Sequence, residues 1–292
     1  MSCDWMLIDG SSLIFRAFYG VPKTVRSPDG RTVNAVRGFF ETLTRMLGTR
    51  EPLHLAVAGD ADWRPEWRVA LLPSYKAQRV AEPIPPGLIP QMPIIDAFLA
   101  AIGIDSAGVP DYEAEDVIAT WTAKAEGTVE IVSGDRDLFA LIEDPRVAVL
   151  YPEKGSWDIV DEAAVMHKYA IPGRSYAAFA MLRGDPSDGL PGLKGVGAVA
   201  AASMVREHGS IDALIAAGRL SDANRDYLTR AMRVVPPVRD LPVELPRGRR
   251  DHYPVDPDGL NTLMARNGLQ ASASRLVDAL NQHLAATVRR LE

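Results

Sequence analysis

Three short apolar segments each run into an acidic residue, and this pattern constrains the fold of the 292-residue chain more than any other feature. Residues 5–8 precede Asp9, residues 53–58 precede Gly59 and Asp60, and residues 129–132 precede Ser133, Gly134 and Asp135. Each segment is apolar on both faces, as a buried strand of a parallel sheet must be. The sequence therefore predicts three parallel strands that end in carboxylates.

Segments with helical spacing lie between these strands. Apolar residues recur with that spacing over 35–47, after Asn34 as a candidate cap, and again over 94–102 and 117–125. Alternating strands and helices predict an α/β fold with a mainly parallel central sheet flanked by helices. Prolines crowd residues 83–93, so we expect no regular element there and interpret 75–90 as a long segment crossing the carboxyl edge of the sheet.

The strand pattern stops after Pro172. Residues 176–182, 198–207, 211–217 and 274–284 all have helical spacing. We therefore predict two regions, an α/β core over residues 1–172 and a helical region over residues 173–292.

Composition limits the class of protein. Hydrophobic residues make up 47% and charged residues 24%, which is typical of a globular protein in water. No apolar run approaches the ~20 residues of a membrane span, the first five residues lack the basic start of a signal peptide, and the single cysteine, Cys3, suits a reducing compartment. We expect a cytoplasmic protein that makes no membrane contact. The net charge of −6 argues against a generally basic nucleic-acid-binding surface, unless bound cations neutralise carboxylates locally.

The strand-end acids should converge, because ligands bind outside the carboxyl ends of the strands in open α/β sheets. Further acids occur in three clusters along the chain. The complete candidate set is Asp9, Asp60, Glu113, Glu115, Asp116, Asp135, Asp137, Asp185 and Asp188. So many acids repel one another unless cations compensate, and carboxylate oxygens suit Mg²⁺ or Mn²⁺. The supply exceeds the needs of one ion and fits two, which is the arrangement for in-line phosphodiester hydrolysis.

A structural interpretation competes with this one at single positions. An Asp after a strand is most often a turn or cap residue, and Glu113 and Asp116 suit the first turn of a helix. In a regular helix Glu113 and Asp116 share a face while Glu115 points elsewhere, so some of these acids would act through water or from behind the site. The joint occurrence of strand-end acids and acidic clusters still favours a metal site.

Six ordered motifs carry a resemblance to a known family, and they span nearly the whole chain. They are Leu7-Ile8-Asp9-Gly10 with Arg16-Ala17-Phe18; Asn34-Ala35-Val36-Arg37-Gly38-Phe39; Tyr75-Lys76-Ala77-Gln78-Arg79; Tyr112-Glu113-Ala114-Glu115-Asp116; Ser133-Gly134-Asp135-Arg136-Asp137-Leu138; and the run from Gly184-Asp185-Pro186-Ser187-Asp188 to Gly195-Val196-Gly197. The chain resembles the flap endonuclease family, including the amino-terminal 5′-nuclease domains of bacterial DNA polymerases I. The resemblance implies a PIN-like nuclease core and a helix-hairpin-helix.

The resemblance also implies residue roles. All nine candidate acids fall on the family's metal-site positions. Lys76 and Arg79 fall where basic residues contact the scissile phosphate, Arg68 takes the place of the arginine in a Phe-Arg pair, and Tyr75 resembles an aromatic residue that stacks on a base. Lys76, Arg79 and Arg68 are therefore the candidate catalytic residues, which would steady negative charge during the reaction. Arg16 and Phe18, from the first motif, are implied to contact DNA.

Three positions depart from the bacterial pattern. Glu115 stands where bacterial relatives usually carry Asp, Gly59 replaces a bulky residue before Asp60, and Gly189 replaces an expected Asn. Glutamate is one methylene longer and could bridge two ions. None of these changes removes a charge, so we expect the activity to be retained.

A glycine-rich segment admits two interpretations. Residues 195–200 fit the dinucleotide-binding pattern GxGxxA, but that pattern needs a preceding strand, and residues 185–191 contain Pro and Gly that oppose one. We instead predict a helix-hairpin-helix in which Gly192, Lys194, Gly195 and Gly197 approach DNA phosphates at a helix amino terminus. In the resembling family this element grips duplex DNA and often holds K⁺. A plain turn between packed helices is the alternative.

Together these features predict a monomeric 5′ nuclease that uses two divalent ions, Mg²⁺ or Mn²⁺, to cleave DNA near a 5′ flap or 5′ end at a single-/double-strand junction. No polymerase segment follows, so we expect a separate protein acting in replication or repair. A PIN-type metal-dependent ribonuclease and a catalytically silent DNA-structure-binding protein are the alternatives. Residues 219–250 hold eight arginines against four acids, which fits a duplex-binding surface or a solvated helical face, and no site is assigned there.

Overall fold

Six strands form one sheet in the computed structural model, which describes residues 3–81, 83–153 and 156–291, the last seven of these by their backbone alone. The strand order is β3-β2-β1-β4-β5-β6, and only the pairing of β5 with β6 is antiparallel. The strands are β1 (Trp5–Asp9), β2 (His54–Ala58), β3 (Asp105–Ala107), β4 (Val129–Val132), β5 (Val147–Pro152) and β6 (Trp157–Val160).

Helices cover both faces of this sheet. They are α1 (Gly10–Gly20), α2 (Asn34–Arg50), α3 (Glu66–Leu71), α4 (Gln78–Ala81), α5 (Met92–Ile102), α6 (Ala114–Lys124), α7 (Glu162–Tyr169), α8 (Tyr176–Arg183), α9 (Ala198–His208), α10 (Ile211–Ala216), α11 (Asp222–Val234), α12 (Pro257–Asn267) and α13 (Gln270–Leu291). Short 3₁₀ turns lie at Ile89–Gln91, Asp137–Leu141 and Gly173–Ser175. Within the described part of the chain, no helix combines the length and apolar character needed to cross a bilayer.

The sheet separates two hydrophobic cores because successive strand residues point to opposite faces. In β1, Leu7 faces a core with α6, α8 and α11, whereas Met6 and Ile8 face a core with α1, α2, α5 and α13. Every residue of β1 and β4 is buried, including Asp9 at the end of β1 and Glu130 in β4, which pairs with Arg50. The predicted α/β fold with a mainly parallel sheet is confirmed.

The strands that the sequence did not reveal lie toward the edges of the sheet. The three-residue strand β3 is too short to show a pattern, and β6 is an edge strand on which Asp158 is exposed. Of the predicted strands, β1, β2 and β4 are confirmed to within a residue at each end.

The prediction that residues 83–93 contain no regular element is wrong for residues 89–93. A 3₁₀ turn at Ile89–Gln91 leads directly into α5, and Pro93 lies in the first helical turn, where its missing N–H costs no hydrogen bond. The short helix α4 also interrupts the crossing segment that begins at Tyr75. Short helical turns therefore occur at both ends of this stretch.

The four segments predicted to be helical after Pro172 are helical, whereas residues 235–256 form a long irregular segment, and this part of the chain returns to both cores. Helices α8, α9 and α11 extend the first core. Helix α13 packs against α2, and its Ala273, Leu276 and Leu280 lie in the second core with Leu43 and Met46. The division of the chain near residue 172 stays a prediction.

The predicted cap of α2 is wrong, because Val33 is the N-cap residue and Asn34 is the first helical residue. The Asn34 side chain is fully buried and donates to the carbonyl oxygens of Phe18, at 2.7 Å, and Val21, at 2.9 Å. Its own oxygen accepts from Gln91 at 3.1 Å. Asn34 thus satisfies the carbonyl groups at the carboxyl end of α1.

We expect Asn34→Ala to lower the free energy of unfolding by about 2 kcal/mol, because it leaves buried carbonyl groups without a donor. Urea denaturation would measure this change. Asn261→Ala, on the exposed face of α12, is the matched control and should change stability by less than about 0.5 kcal/mol. Equal effects of the two substitutions would contradict the assigned role of Asn34.

Candidate active site

An acidic cleft of about 430 Å³ opens at the carboxyl edge of the sheet. Asp9, Asp60 and Asp135 follow the neighbouring strands β1, β2 and β4 and line this cleft, as the topology predicts. Glu113 and Glu115 enter from the start of α6, and Asp188 enters from the loop after α8. Acids that are distant in sequence therefore meet at one edge of the sheet.

Backbone and hydroxyl groups fix the strand-end acids. Asp9 caps α1 by accepting from the Ser12 N–H at 2.9 Å, and it also accepts from the Ser133 hydroxyl at 2.5 Å. Asp60 accepts from the Ala114 N–H at 2.8 Å, which ties β2 to α6. Asp9 therefore caps a helix, as the structural interpretation of a strand-end Asp expects, and it also lines the cleft.

Three acids converge closely enough to share a cation. Ligand oxygens of Glu115, Asp135 and Asp137 all lie within 4.8 Å of one another. The Asp137 N–H donates to Asp135 at 2.9 Å and fixes the turn that brings both side chains to this point. A set of three carboxylates suits a hard divalent cation that completes its coordination with water.

Glu113 is compensated by cations of the protein itself. Lys76 Nζ lies 2.6 Å and Arg79 Nη1 lies 3.3 Å from the same carboxylate oxygen, Oε1, and Tyr75 donates to the other at 2.6 Å. Burial opposes ionisation, but Lys76 and Arg68 together hold the pKa of Glu113 below its usual value. Lys76, 3.6 Å from Asp188, has the same effect on the pKa of that carboxyl group.

Four other acids at this edge of the sheet lack such compensation, whereas Glu115 lies 3.2 Å from Arg68 Nη1. Among the described residues, Asp9, Asp60, Asp135 and Asp137 have no basic side chain within ion-pair distance. Burial raises the pKa of Asp9 to about 7 and raises the pKa values of Asp60, Asp135 and Asp137 as well. In Asp137 the neighbouring carboxylates of Asp188 and Asp135 add to this rise. A donor set with oxygen ligands and uncompensated charge fits divalent metal ions.

Three of the predicted metal ligands, Asp116, Asp137 and Asp185, are not among the residues that line the cleft, although Asp137 converges with Glu115 and Asp135. Asp116 is fully buried and accepts from Arg68 Nη2 at 2.7 Å, the Val238 N–H at 2.8 Å and the Glu113 N–H at 3.2 Å. Asp185 accepts from Arg183 at 2.9 Å and from the Ser187 N–H at 3.0 Å. Their assignment as metal ligands stays a prediction; their observed contacts position other residues of the cleft.

Three further predicted residues lie beneath the surface. Arg68 is fully buried against Glu113, Glu115 and Asp116, and Tyr75 is only 2% exposed. Phe18 lies in the second core. A DNA base cannot reach Tyr75 or Phe18 in this conformation. Arg16, by contrast, is exposed beside the cleft, with its guanidinium 6.0 Å from the ring centroid of Trp157.

Several cleft residues were not predicted from the sequence. Trp63 holds Arg79, whose guanidinium lies 4.1 Å from the Trp63 ring centroid and donates to its carbonyl oxygen at 2.6 Å. Phe15 stacks on Trp63 at a centroid distance of 4.9 Å. Arg136 and Tyr151 also line the cleft. Arg136 could have been predicted from the sequence, because it lies between the candidate ligands Asp135 and Asp137. No sequence pattern marks Phe15, Trp63 or Tyr151 as residues of the cleft.

The glycine hairpin joins α8 to α9. A helix and not a strand comes directly before it in the described chain, so the dinucleotide-binding pattern lacks its structural context, as predicted. Gly192 has a φ of +67° and packs so closely on Arg183 and Gly184 that a Cβ atom would lie 2.5 Å from the Gly184 nitrogen. Around Gly195 and Gly197 there is open space, and α9 begins without a side-chain cap. The hairpin therefore presents unshielded backbone at a helix amino terminus.

Two of the departures from the bacterial pattern have a structural context. Gly59 has open space around the position of a Cβ atom, so a larger residue would fit there. Gly189 has a φ of +67°, and a Cβ atom would lie 1.9 Å from the carbonyl oxygen of Ser74. Beside this contact, the Lys76 N–H donates to the Asp188 carbonyl at 2.9 Å. Glycine thus allows the loop of Asp188 to pack directly on the segment of Lys76.

Five of the eight arginines of residues 219–250 make ion pairs or hydrogen bonds within the protein. Arg230 pairs with Asp226 at 2.6 Å, Arg247 pairs with Asp251 at 2.7 Å, and Arg250 pairs with Asp105. Arg239 donates to the carbonyl oxygen of Ala140 at 3.1 Å. These contacts favour the solvated and structural interpretation of the arginine-rich stretch.

Comparisons with known proteins agree with this geometry. The family described as 5′-3′ exonuclease, N-terminal resolvase-like domain, matches residues 4–170. A 5′-3′ exonuclease of Streptomyces coelicolor is 47% identical over 94% of this chain and 99% of its own length. One of Mycobacterium tuberculosis is 42% identical over 96% of this chain and 99% of its own length. A crystal structure of the bacteriophage T5 flap endonuclease in complex with DNA and metal ions has the same fold, with a TM-score of 0.64 and 18% identity over 98% of this chain and 100% of that one.

We expect divalent cations to stabilise the protein more at pH 8 than at pH 6. A carboxyl group with a raised pKa in the folded state contributes stability below its unfolded pKa, and that contribution is lost as the pH rises through the folded pKa, which is about 7 for Asp9. Without metal, these acids therefore lower the melting temperature between pH 6 and pH 8. Thermal melts with Mn²⁺ or EDTA at both pH values would measure the difference, and an equal Mn²⁺ shift at both would contradict it.

We expect Gly189→Ala to lower the free energy of unfolding by about 2 kcal/mol or more, since it adds a steric clash to the strain of a positive φ. Gly218→Ala is the matched control, because Gly218 has a φ of +72° and open space around it. Gly218→Ala should lower the free energy of unfolding by only about 1 kcal/mol, which is the cost of the backbone strain without a clash. Chemical denaturation of both variants would test this, and equal losses would argue against the Ser74 contact.

Proposed function

Since this chain belongs to the 5′-3′ exonuclease family and is therefore a nuclease, we propose that its cleft hydrolyses DNA at 5′ ends and 5′ flaps where single and double strands meet. The observation that carries the proposal is the convergence of Glu115, Asp135 and Asp137, whose ligand oxygens lie within 4.8 Å of one another. Asp9 and Asp60, which have no described basic side chain within ion-pair distance, extend this acidic surface across two further strands.

The residues of the cleft fit two divalent ions, which we propose are Mg²⁺ or Mn²⁺. Glu115, Asp135 and Asp137 would hold one ion, and Asp9 and Asp60 would contribute to the second. When bound, the ions supply Lewis-acid chemistry for in-line phosphodiester hydrolysis. Asp116 and Asp185 are proposed as ligands by the resemblance alone.

The basic residues orient the substrate strand and balance its charge. Arg79, whose side chain is 22% exposed, is held by Trp63 and Glu113 at the rim of the cleft and is placed to donate to a phosphate oxygen. Lys76 lies deeper, with 3% of its side chain exposed, and adds positive charge where negative charge develops. Arg68 fixes the carboxylates from below and does not touch the substrate.

The hairpin between α8 and α9 would bind duplex DNA beside the cleft. Its open glycines at 195 and 197 let backbone N–H groups approach phosphates, and Lys194 is exposed next to them. Contacts of this kind read the shape of DNA and not its sequence. A K⁺ ion at the hairpin belongs to this proposal on the strength of the resemblance.

The alternatives differ in substrate or in chemistry. A PIN-type ribonuclease would use a similar acidic sheet, but the hairpin and the helical carboxyl-terminal region favour DNA. A catalytically silent DNA-binding protein would not need uncompensated acids in the cleft. We propose further that the protein acts as a monomer in the cytoplasm.

We expect Asp135→Asn to lower the cleavage rate of 5′-labelled flap DNA at least about 100-fold, because it removes a carboxylate from the converging set. Gel analysis with Mg²⁺, Mn²⁺ or EDTA would measure this, with matched RNA and blunt duplex as competing substrates. Asp278→Asn, on the exposed face of α13, is the matched control and should cleave at the unmodified rate.

Other outcomes would contradict the proposal in distinct ways. Cleavage that persists in EDTA would exclude metal-dependent chemistry. RNA cut faster than the DNA flap would favour the ribonuclease, and flap binding without any cleavage would favour the silent binder.

A further inference from the structure

The cations that line the cleft differ in whether a carboxylate already binds them. Lys76 and Arg79 both lie against Glu113, at 2.6 Å and 3.3 Å, and Lys76 is also 3.6 Å from Asp188. A phosphate group that reaches them must share them with these acids. The positive charge of Lys76 and Arg79 is therefore partly neutralised by carboxylates of the protein.

Arg136 has no such close partner in the described part of the chain. Its nearest carboxylate is Asp185, at 4.0 Å, and that group is bound more closely by Arg183, at 2.9 Å. The Arg136 side chain is 41% exposed and lines the cleft. Its sequence neighbours Asp135 and Asp137 instead direct their oxygens toward Glu115.

Arg136 belongs to a wall of the cleft that is formed by the ends of β4, β5 and α1. Tyr151 lines the cleft at the end of β5. Arg16 lies on α1, near enough to β4 that a Cβ atom on Gly134 would be 3.5 Å from its side chain, and no described residue forms an ion pair with it. Two arginines and a tyrosine at the same side of the cleft form a surface that suits a nucleic-acid strand.

We propose that Arg136, together with Arg16 and Tyr151, binds the phosphate backbone of the strand that enters the cleft. This inference rests on the proposed function, which supplies the nucleic-acid strand, and it adds to that function a phosphate contact besides those of Lys76 and Arg79. A phosphate at Arg136 need not displace a closely bound carboxylate, because the nearest, Asp185, lies 4.0 Å away and is held by Arg183 at 2.9 Å.

A phosphate-binding role and a purely internal role of Arg136 predict different salt dependence of DNA binding. If Arg136 only offset the charge of Asp135 and Asp137, its loss would change metal binding and leave the salt dependence of DNA binding unchanged. If it binds phosphate, its loss reduces the number of counterions released when DNA binds.

The test compares Arg136→Ala and Arg136→Lys with the unmodified chain in binding fluorescent 5′-flap DNA by anisotropy, in EDTA, over a range of salt concentrations. We expect Arg136→Ala to bind about tenfold more weakly, with a slope of log Kd against log salt that is smaller by about 0.7–0.9. Arg136→Lys keeps the positive charge and should restore the slope. Arg45→Ala, an exposed arginine of α2 away from the cleft, is the matched control and should change neither.

An unchanged slope in Arg136→Ala would overturn the proposal, as would a change only in the Mn²⁺ concentration needed for stabilisation. Because the side chain is part-exposed, we expect the variant to keep its melting temperature, and Arg136→Lys tests the charge even where alanine disturbs the fold. Failure of the proposed function is seen separately, as the absence of metal-dependent cleavage by the unmodified chain. A reduced slope without any cleavage would support the phosphate contact and reject the nuclease mechanism.

Discussion

The buried guanidinium of Arg68 organises the acidic side of the cleft. It is fully inaccessible and pairs with Glu113, with Glu115 at 3.2 Å and with Asp116 at 2.7 Å. Three buried carboxylates in one place would be strongly unfavourable without a cation, and a planar guanidinium can meet several of them at once. Since Arg68 comes from α3 and the acids come from the start of α6, this contact also fixes the helix that follows β2 against the helix that precedes β4. The Val238 N–H adds the segment after α11 to the same cluster through Asp116.

The acids of the cleft form two groups that differ in whether a basic side chain compensates their charge. Those near α6 and Asp188 receive charge from Arg68, Lys76 and Arg79, and the pKa values of Glu113 and Asp188 are lowered as a result. The acids at the strand ends receive hydrogen bonds but no cation, and burial raises their pKa values. Hydrogen bonds from Ser12, Ser133 and Ala114 orient these oxygens without neutralising them. The fold thus positions a set of carboxylates whose charge an external cation can satisfy.

The sequence was informative where a single physical rule dominates. Strands buried on both faces must be apolar, so β1, β2 and β4 and the acids that follow them could be placed without a structure. The exposure of a side chain could not be read in the same way. Tyr75 and Phe18 occur in motifs that the resemblance associates with DNA, yet both are buried, because Tyr75 turns inward to donate to Glu113 and Phe18 faces α2 and Gly87. Trp63, Phe15 and Tyr151 reach the cleft through tertiary packing between elements distant in sequence, and no local pattern records that.

The glutamate at position 115 shows how one departure from a family pattern can be consistent with its surroundings. Its carboxylate is 3.2 Å from Arg68 Nη1 and also belongs to the group with Asp135 and Asp137. Aspartate would be shorter by one C–C bond, about 1.5 Å. From the same backbone position it would either leave Arg68 beyond ion-pair distance or withdraw from the two acids after β4. Because Glu113 and Asp116 also pair with Arg68, the longer side chain lets position 115 share that cation while its oxygens still face the cleft. The substitution therefore preserves the converging carboxylates and adds a link between them and the buried cation below.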